Sequence, residues 1–572
     1  MNVKTSLEMS KDISKPEQLI TEHIDIWTSA ILAKSTSGRG SSKKYELYGI
    51  SKLRELILEL AVRGKLVPQD ASDEPASVLL ERIAAEKALL IKKGEIKKAK
   101  LLPELTEDEK PFESPQGWCF YRLGDLVKKL GSGSTPRGGK NAYVSEGIPF
   151  LRSQNVRNEG LDDSDIAYIS SETHQRMNNT IVYPGDILLN ITGASLGRSI
   201  IFPNTYPEAN VSQHVTIIRM IDPNITPFIY LCICSPLLQK IVWERQVGMA
   251  IEGLSKKVLE LFEIPIPPLA EQKRIVAKVD ELMLLCDQLE QQTEAIIDAH
   301  ATLVEVLLAT LTDSADADEL AQNWSRISEH FDSLFTTEQS IDALKQTVLQ
   351  LAVMGQLVPQ NPDDEPASVL LEKERLIRES KIKQPSSWLE ITENEKPFES
   401  PESWIWLRFG DVYPLEYGNN LPKPKRSNTG EYNVYGSNGI VGSHNAACVK
   451  SSCIVVGRKG SAGALNISLD DGCWVTDVAY SCIPIKGIDL YFAFMHLKTL
   501  GLDSLGKGIK PGLNRNEAYS LPVAIPPLSE QHLIVAKVDE LMAICDQLKE
   551  KLQQSQETQV QLTDALVDRA LE

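Results

Sequence analysis

Basic side chains gathered in glycine-rich loops are the first candidates for chemistry in this 572-residue sequence. Arg137 and Lys140 lie in GSGSTPRGGKN, and Lys423, Lys425 and Arg426 in LPKPKRSN. Arg458 and Lys459 lie in VGRKGSAG, and Lys507 and Lys510 in SLGKGIKPG. Glycine lets a backbone approach a phosphate closely, and Lys and Arg supply the charge. Each loop taken alone also matches an ordinary solvated face. A nucleotide-binding loop is not formed: Asn141 follows Lys140, and Ser134 stands where the first glycine belongs. There is no HExxH, no second CxxC-like pair beside Cys232 and Cys234, and no Asn-Pro-Pro-aromatic box. Cys448, Cys453 and Cys473 lack a histidine at ligand spacing and read as core residues. His214 in VSQHVTI alternates with apolar neighbours and reads as a strand residue facing a polar rim. No nucleophile–base constellation is found, so neither a catalytic nor a metal site is expected in this chain.

Whatever these loops do, longer elements must position them, and internal repeats reveal those elements. LRELILELAVRGKLVPQDASDEPASVLLERI, from Leu53, matches the stretch from Leu344 at 19 of 31 positions. EDEKPFESPQGW, ending at Trp118, returns as ENEKPFESPESW, ending at Trp404. PIPPLAEQKRIVAKVDELMLLCDQLE, from Pro265, matches the stretch from Ala524 at 19 of 26. The order is first motif, variable stretch, second motif, and then the same again. A pseudo-twofold arrangement would bring the two chain ends together and complete the second pairing of motifs without a covalent link. Between these flanks, 118–264 and 404–523 show no sequence resemblance to each other.

The second motif is helical. Ile275, Val279, Leu282, Cys286, Leu289 and Thr293 step by four and three, continuing through Ile296, His300, Leu303 and Leu307. Ile534 to Leu566 repeats the seam, and such a heptad stripe wants a partner helix. Pro267-Pro268 and Pro526-Pro527 mark the helix starts. The first motif supplies a helix over Ser51 to Val62, punctuated by Gly64 and Pro68. The variable stretches carry β-branched runs cut by Gly and Pro, with a helix late in each, Phe228 to Val242 and Leu490 to Leu500. The expected fold is α+β: two mixed α/β domains separated by long antiparallel coiled-coil helices, pseudo-twofold with a cyclic repeat order. The expected divisions are a helical frame at 1–117, a variable domain at 118–264, a central spacer and frame at 265–403, a second variable domain at 404–523 and a last helix at 524–572.

Charge follows the same division. The chain carries −18, but 118–264 is neutral and 404–523 is +3, so the acid sits in the frame. The variable domains permit nucleic-acid binding, and the acidic frame suits a protein partner. Nine cysteines without a framework of spacings and a polar N-terminus lead us to expect a reduced, cytoplasmic protein. With no run of 18 apolar residues, no membrane span is expected.

Two variable domains between repeated frames, each followed by a Pro-Pro-Leu-x-Glu-Gln segment, resemble the DNA-specificity (S) subunit of type I restriction–modification systems. GIPFLRSQNV, GDILLNITGASLG and VSQHVTIIR in the first domain belong to the same likeness. The resemblance implies a non-catalytic subunit whose variable domains are target-recognition domains, each reading half of a split, asymmetric double-stranded DNA site. It implies that the helical spacer sets the gap. The implied partners are two modification (methyltransferase) subunits carrying S-adenosylmethionine, and restriction/translocase subunits using ATP and Mg²⁺; no cofactor is expected in this chain.

Base readout favours Arg on guanine and Asn or Gln on adenine. On that footing Arg152, Gln154, Asn155 and Arg157 are base-edge candidates in the first domain, and Tyr435, Ser437, Asn438 and His444 in the second. Arg137, Lys140, Lys425, Arg426, Arg458, Lys459, Lys507 and Lys510 are phosphate candidates. Two other readings stay open: a helical scaffold without DNA specificity, and an enzyme with a hidden site.

Overall fold

The computed structural model describes residues 20–33, 45–97, 100–246, 253–315, 317–369, 371–372, 391–427, 429–507 and 512–572. Each frame is held by a tie between its two repeated motifs. Trp118 Nε1 donates to Glu271 Oε2 at 3.1 Å, and Trp404 Nε1 donates to Glu530 Oε2 at 3.0 Å. The neighbouring glutamines reach back: Gln272 Nε2 donates to Pro267 O and Gln531 Nε2 to Pro526 O. Both glutamates are buried, and burial pushes their carboxyls above the usual range. The Glu-Gln of one motif and the Trp of the other therefore recur together because each satisfies a polar group the other buries.

The repeated motifs contribute the helices α1 (Tyr48–Val62), α2 (Leu269–Thr312), α3 (Glu338–Val353) and α4 (Leu528–Leu571) to the frames. α1 starts nearly a turn before the expected Ser51. Gly64 and Gly355 follow the ends of α1 and α3 at φ 71° and 76°. A Cβ there would lie 2.9 Å from Pro115 or 2.8 Å from Pro401, so both conformation and space demand glycine. The expected late helix of the first domain is two, Thr226–Cys234 and Pro236–Glu244, because Pro236 can open a helix but not continue one.

The chain divides into two compact units, Met1–Ala295 with Gln556–Glu572, and Ile296–Ser555. Each long helix thus begins in one unit and ends in the other, in opposite order. In the first unit Ile275, Val279, Leu282 and Cys286 of α2 join Ile50, Leu53 and Ile57 of α1 in one core, and Arg54 pairs with Asp287 at 2.6 Å and Glu290 at 2.7 Å. In the second unit Ile534, Val538 and Cys545 of α4 join Leu344 and Val348 of α3, and Lys345 pairs with Asp546 at 2.6 Å.

The seam departs from strict heptads in the later half of α2. Ile296 and Leu303 are 69% and 49% exposed, whereas Val304, Leu308 and Leu311 are buried. A straight helix turns 3.6 residues per turn, so a 3.5-residue stripe drifts ~20° per heptad until the adjacent residue takes its place. This helix also holds an 18-residue stretch of mean hydropathy 1.5, apolar enough by length and composition to cross a bilayer. Within the helix Ile275, Val279, Leu282 and Cys286 enter the core of one unit and Val304, Leu308 and Leu311 that of the other, while Leu284, Ile296, Leu303 and Val306 stay exposed.

The first copy of the first motif and the last helix do meet within the first unit. Leu566, Val567, Ala570 and Leu571 of α4 pack on the core around α1. Tyr48 Oη donates to Asp564 Oδ1 at 2.6 Å, and Lys65 Nζ to Leu571 O at 2.5 Å. Burial and the Asp564 carboxylate push the Tyr48 phenol up to about 12. Tyr48→Phe removes this charge-assisted bond and is expected to cost about 1–2 kcal/mol, read as a lower unfolding midpoint in urea.

Each variable domain stands on a two-stranded stem: Cys119–Arg122 pairs with Glu263–Ile266, and Ile405–Arg408 with Pro522–Ile525. Above the first stem lie β1 (Val127–Ser132), β2 (Ile148–Leu151), β3 (Ile187–Asn190), β4 (Ser199–Ile201), β5 (Ala209–Val211) and β6 (Val215–Met220). Above the second lie β7 (Leu415–Tyr417), β8 (Tyr432–Gly436), β9 (Gly439–His444), β10 (Cys453–Gly457), β11 (Leu465–Ser468), β12 (Trp474–Val475) and β13 (Ala479–Cys482). One sheet has the order β1-β6-β3-β4 in the first domain and β7-β13-β10-β11 in the second. Beside it, β5 runs parallel to β2, and β12 runs parallel to β8. Two sequences without detectable similarity therefore share a strand plan, which backbone pairing and apolar alternation satisfy with few fixed residues.

Candidate nucleic-acid interface

Matching hydrogen bonds align the loops of the two domains. Gly133 N–H donates to Val215 O and Ser134 N–H to Val211 O; Gly418 N–H donates to Ala479 O and Asn419 N–H to Val475 O. A Cβ on Gly133 would lie 1.9 Å from Val211 O, and one on Gly418 would lie 2.1 Å from Thr476 O. Ile191 N–H reaches His214 O, as Arg458 N–H reaches Val478 O. Thr192 bridges to Gly253 as Lys459 bridges to Gly512. The turns after β1, β3 and β5 are thus brought together at one edge, and those after β7, β10 and β12 at its equivalent.

At this edge the first domain carries the LRSQNV turn, which leaves β2. Asn155 is buried: its Oδ1 accepts from Arg152 N–H at 2.9 Å, and its Nδ2 donates to Asp162 O and Asp165 O. Asn190, also buried, pins the same turn by donating to Ser153 O at 2.8 Å and Val156 O at 3.2 Å. Around this fixed backbone the longer side chains are half-exposed or exposed and held by two acids. Arg152 Nη2 lies 2.6 Å from Asp165 O, Gln154 Nε2 lies 2.7 Å from Asp165 Oδ2, and Arg157 pairs with Asp162 at 2.5 Å. Gln213 accepts from Thr135 Oγ1 at 2.7 Å, and Thr192 Oγ1 bonds His214 Nδ1 at 2.7 Å.

The second domain closes the corresponding strand with a two-residue turn, Ser437-Asn438, between β8 and β9. Gly457 stands where the first domain has Asn190; a Cβ on it would lie 2.6 Å from Ser437 O, so here the turn lies directly against the neighbouring strand. Arg458 stacks over Tyr417 at 4.7 Å, and Arg515 lies over the same ring at 5.0 Å. Tyr417 remains 54% exposed between the two guanidiniums.

Comparison with known proteins fits this duplicated plan. The model of the type I restriction modification DNA specificity domain matches residues 115–299 and 401–557. The EcoAI specificity subunit of Escherichia coli is 39% identical, covering 97% of this chain and 99% of that one. The chain belongs to the type I DNA-specificity family. The EcoEI specificity subunit, also from Escherichia coli, is 38% identical over the same shares. The HsdS subunit from Thermoanaerobacter tengcongensis, a solved structure, is 16% identical with a TM-score of 0.38, covering 81% of this chain and 98% of that one.

Within this type I specificity chain the sequence-derived candidates do not all stand together. Arg152, Gln154 and Arg157 flank one turn; Asn155, expected at a base edge, is spent inside that turn, because a short amide satisfies three backbone groups there. Tyr435 is 6% exposed and belongs to a small core with Cys453, Val455 and Val475, so it also is no surface reader. Ser437 and Asn438 share the tight turn, whereas His444 pairs with Tyr432 at the far end of the same hairpin and packs at a tilt against Trp474. Arg137, Lys425 and Lys459 are exposed, while Arg426 is half-buried and donates to Leu421 O at 3.0 Å. Lys510 and the side chains of Lys140 and Lys507 lie outside the described residues. Tyr417 and Arg515 were not singled out from sequence; the signal was slight, an aromatic preceding Gly418 as Ser132 precedes Gly133. Among the described residues no cluster of His, Cys, Asp and Glu could hold a metal.

Proposed function

We propose that this chain is the DNA-reading subunit of a type I restriction–modification complex, with each variable domain reading one half of a split site and the long helices setting the gap. The observation that carries this reading is one strand plan used twice, with unlike side chains at the same edge, on a duplicated frame. A fixed separation between two reading edges becomes a fixed spacing between half-sites. The acidic frame presents its charge to partner protein and not to phosphate. On this reading two modification subunits bound to the frames supply S-adenosylmethionine and methylate adenine; restriction subunits supply ATP- and Mg²⁺-dependent cleavage; the assembly works in the cytoplasm. Arg137, Lys140, Lys425, Arg426, Arg458, Lys459, Lys507 and Lys510 are assigned to phosphates; Arg152, Gln154, Arg157, Ser437 and Asn438 to base edges.

The test is to co-express the chain with its modification subunits and map methylated adenines across the host genome. A two-part motif with a constant gap is expected; methylation without sequence preference would refute the reading. In the same assay Arg152→Ala is expected to relax one position of one half-site, costing ~1–3 kcal/mol of discrimination. An equal fall on cognate and non-cognate DNA would reassign Arg152 to the phosphate backbone.

A further inference from the structure

One turn is built identically in both domains and carries an exposed polar residue at its centre. In the first domain β5 leads through Ser212-Gln213-His214 into β6; in the second β12 leads through Thr476-Asp477-Val478 into β13. Ser212 N–H donates to Leu151 O at 2.9 Å, and Thr476 N–H donates to Tyr435 O at 3.0 Å. Val215 N–H closes the first turn onto Ser212 O at 3.1 Å, and Ala479 N–H closes the second onto Thr476 O at 3.0 Å. The turn is therefore tied to the residue just before Arg152 in one domain and just before Gly436 in the other. Its central residue thus sits on the edge that also carries the LRSQNV turn in one domain and the Ser437-Asn438 turn in the other, and Gln213 accepts from Thr135 Oγ1 at 2.7 Å in the turn after β1.

Gln213 and Asp477 are both exposed. Asp477 is the more telling of the two. Its neighbours at this edge are Arg458, which donates to its main-chain oxygen at 2.9 Å, and the exposed Lys459. Among the described residues no hydrogen bond or ion pair engages its carboxylate. A carboxylate gains nothing from a phosphate, but it accepts from the cytosine N4 amino group in the major groove, while a glutamine pairs with the N6 and N7 edge of adenine. We infer that the central residue of this turn is a specificity-determining residue in each domain, Gln213 for one half-site and Asp477 for the other. This rests on the DNA-reading function proposed above.

The experiment uses the full chain co-expressed with its modification subunits and reads methylated motifs by genome-wide mapping. Gln213→Ala is expected to lower discrimination by about tenfold at one position of one half-site. Asp477→Asn keeps the shape and adds a donor, so it is expected to shift the preference at one position of the other half-site. Wild-type motifs retained unchanged by both variants would overturn the inference. So would a uniform loss of methylation in both, since a merely structural turn gives that result. Absence of any two-part motif in the wild type would instead defeat the underlying function.

Discussion

Arg122→Ala is expected to destabilise the first unit by about 3–5 kcal/mol, while Arg408→Ala costs the second about 1–2 kcal/mol. Both arginines end the first strand of a stem, but their partners differ. Arg122 is 5% exposed; it donates to Leu261 O at 2.7 Å, to Glu263 Oε1 at 2.6 Å and to both oxygens of Glu109. Glu263 is 2% exposed, so losing Arg122 leaves a buried carboxylate with Arg245 at 3.0 Å. Across the other stem Arg408 faces Pro522, and its acid, Glu395, is more open. Calorimetric melting of the full chain reads the difference; equal losses would show that burial of Glu263 does not set the cost. Arg122 and the Thr106 backbone hold the Glu109 carboxyl down at about 2, from 4.5 when unfolded. That contribution is complete above pH 4.5 and fades as the pH falls towards 2, so the gap between wild type and Arg122→Ala narrows over this window.

The second large effect concerns spacing. Seven residues added to α2 after Ala295 and seven to α4 after Ser555, where each helix passes from one unit to the other, keep the apolar face in phase. They lengthen each helix by ~10 Å, the rise of at most about three base pairs. Mapped methylation sites are expected to show both half-sites unchanged and the gap widened. Altered half-sites at the old gap would show that the helices do not measure distance. Insertion into α2 alone leaves the two helices mismatched and is expected to abolish methylation.

The duplicated frame was legible because its signals are local and backbone-driven: two prolines before a helix, and a glycine after one where a Cβ would strike Pro115 or Pro401. The meeting of α1 with the end of α4 followed from repeat order, which is a statement about connectivity and not about side chains. The shared strand plan of 118–264 and 404–523 was hidden, because pairing such as Val455 with Ser481 or Leu188 with Ile217 constrains polarity more than identity. The site was read in outline only. Arg152, Gln154 and Asn155 look alike in a loop sequence, yet only Asn155 has the reach to satisfy its own turn from inside. Gln213 and Asp477 were overlooked because their significance comes from a positional match that unlike sequences conceal.

The stems carry one more implication. Cys119 lies opposite Ile266, and Ile405 opposite Ile525, so each variable domain leaves its frame and returns to it on adjacent strands. Such a cassette can be exchanged whole without disturbing its mount, because the mount is made by the stem strands and the repeated frame. A lineage could then acquire a new target in a single genetic event, pairing an inherited half with a foreign one.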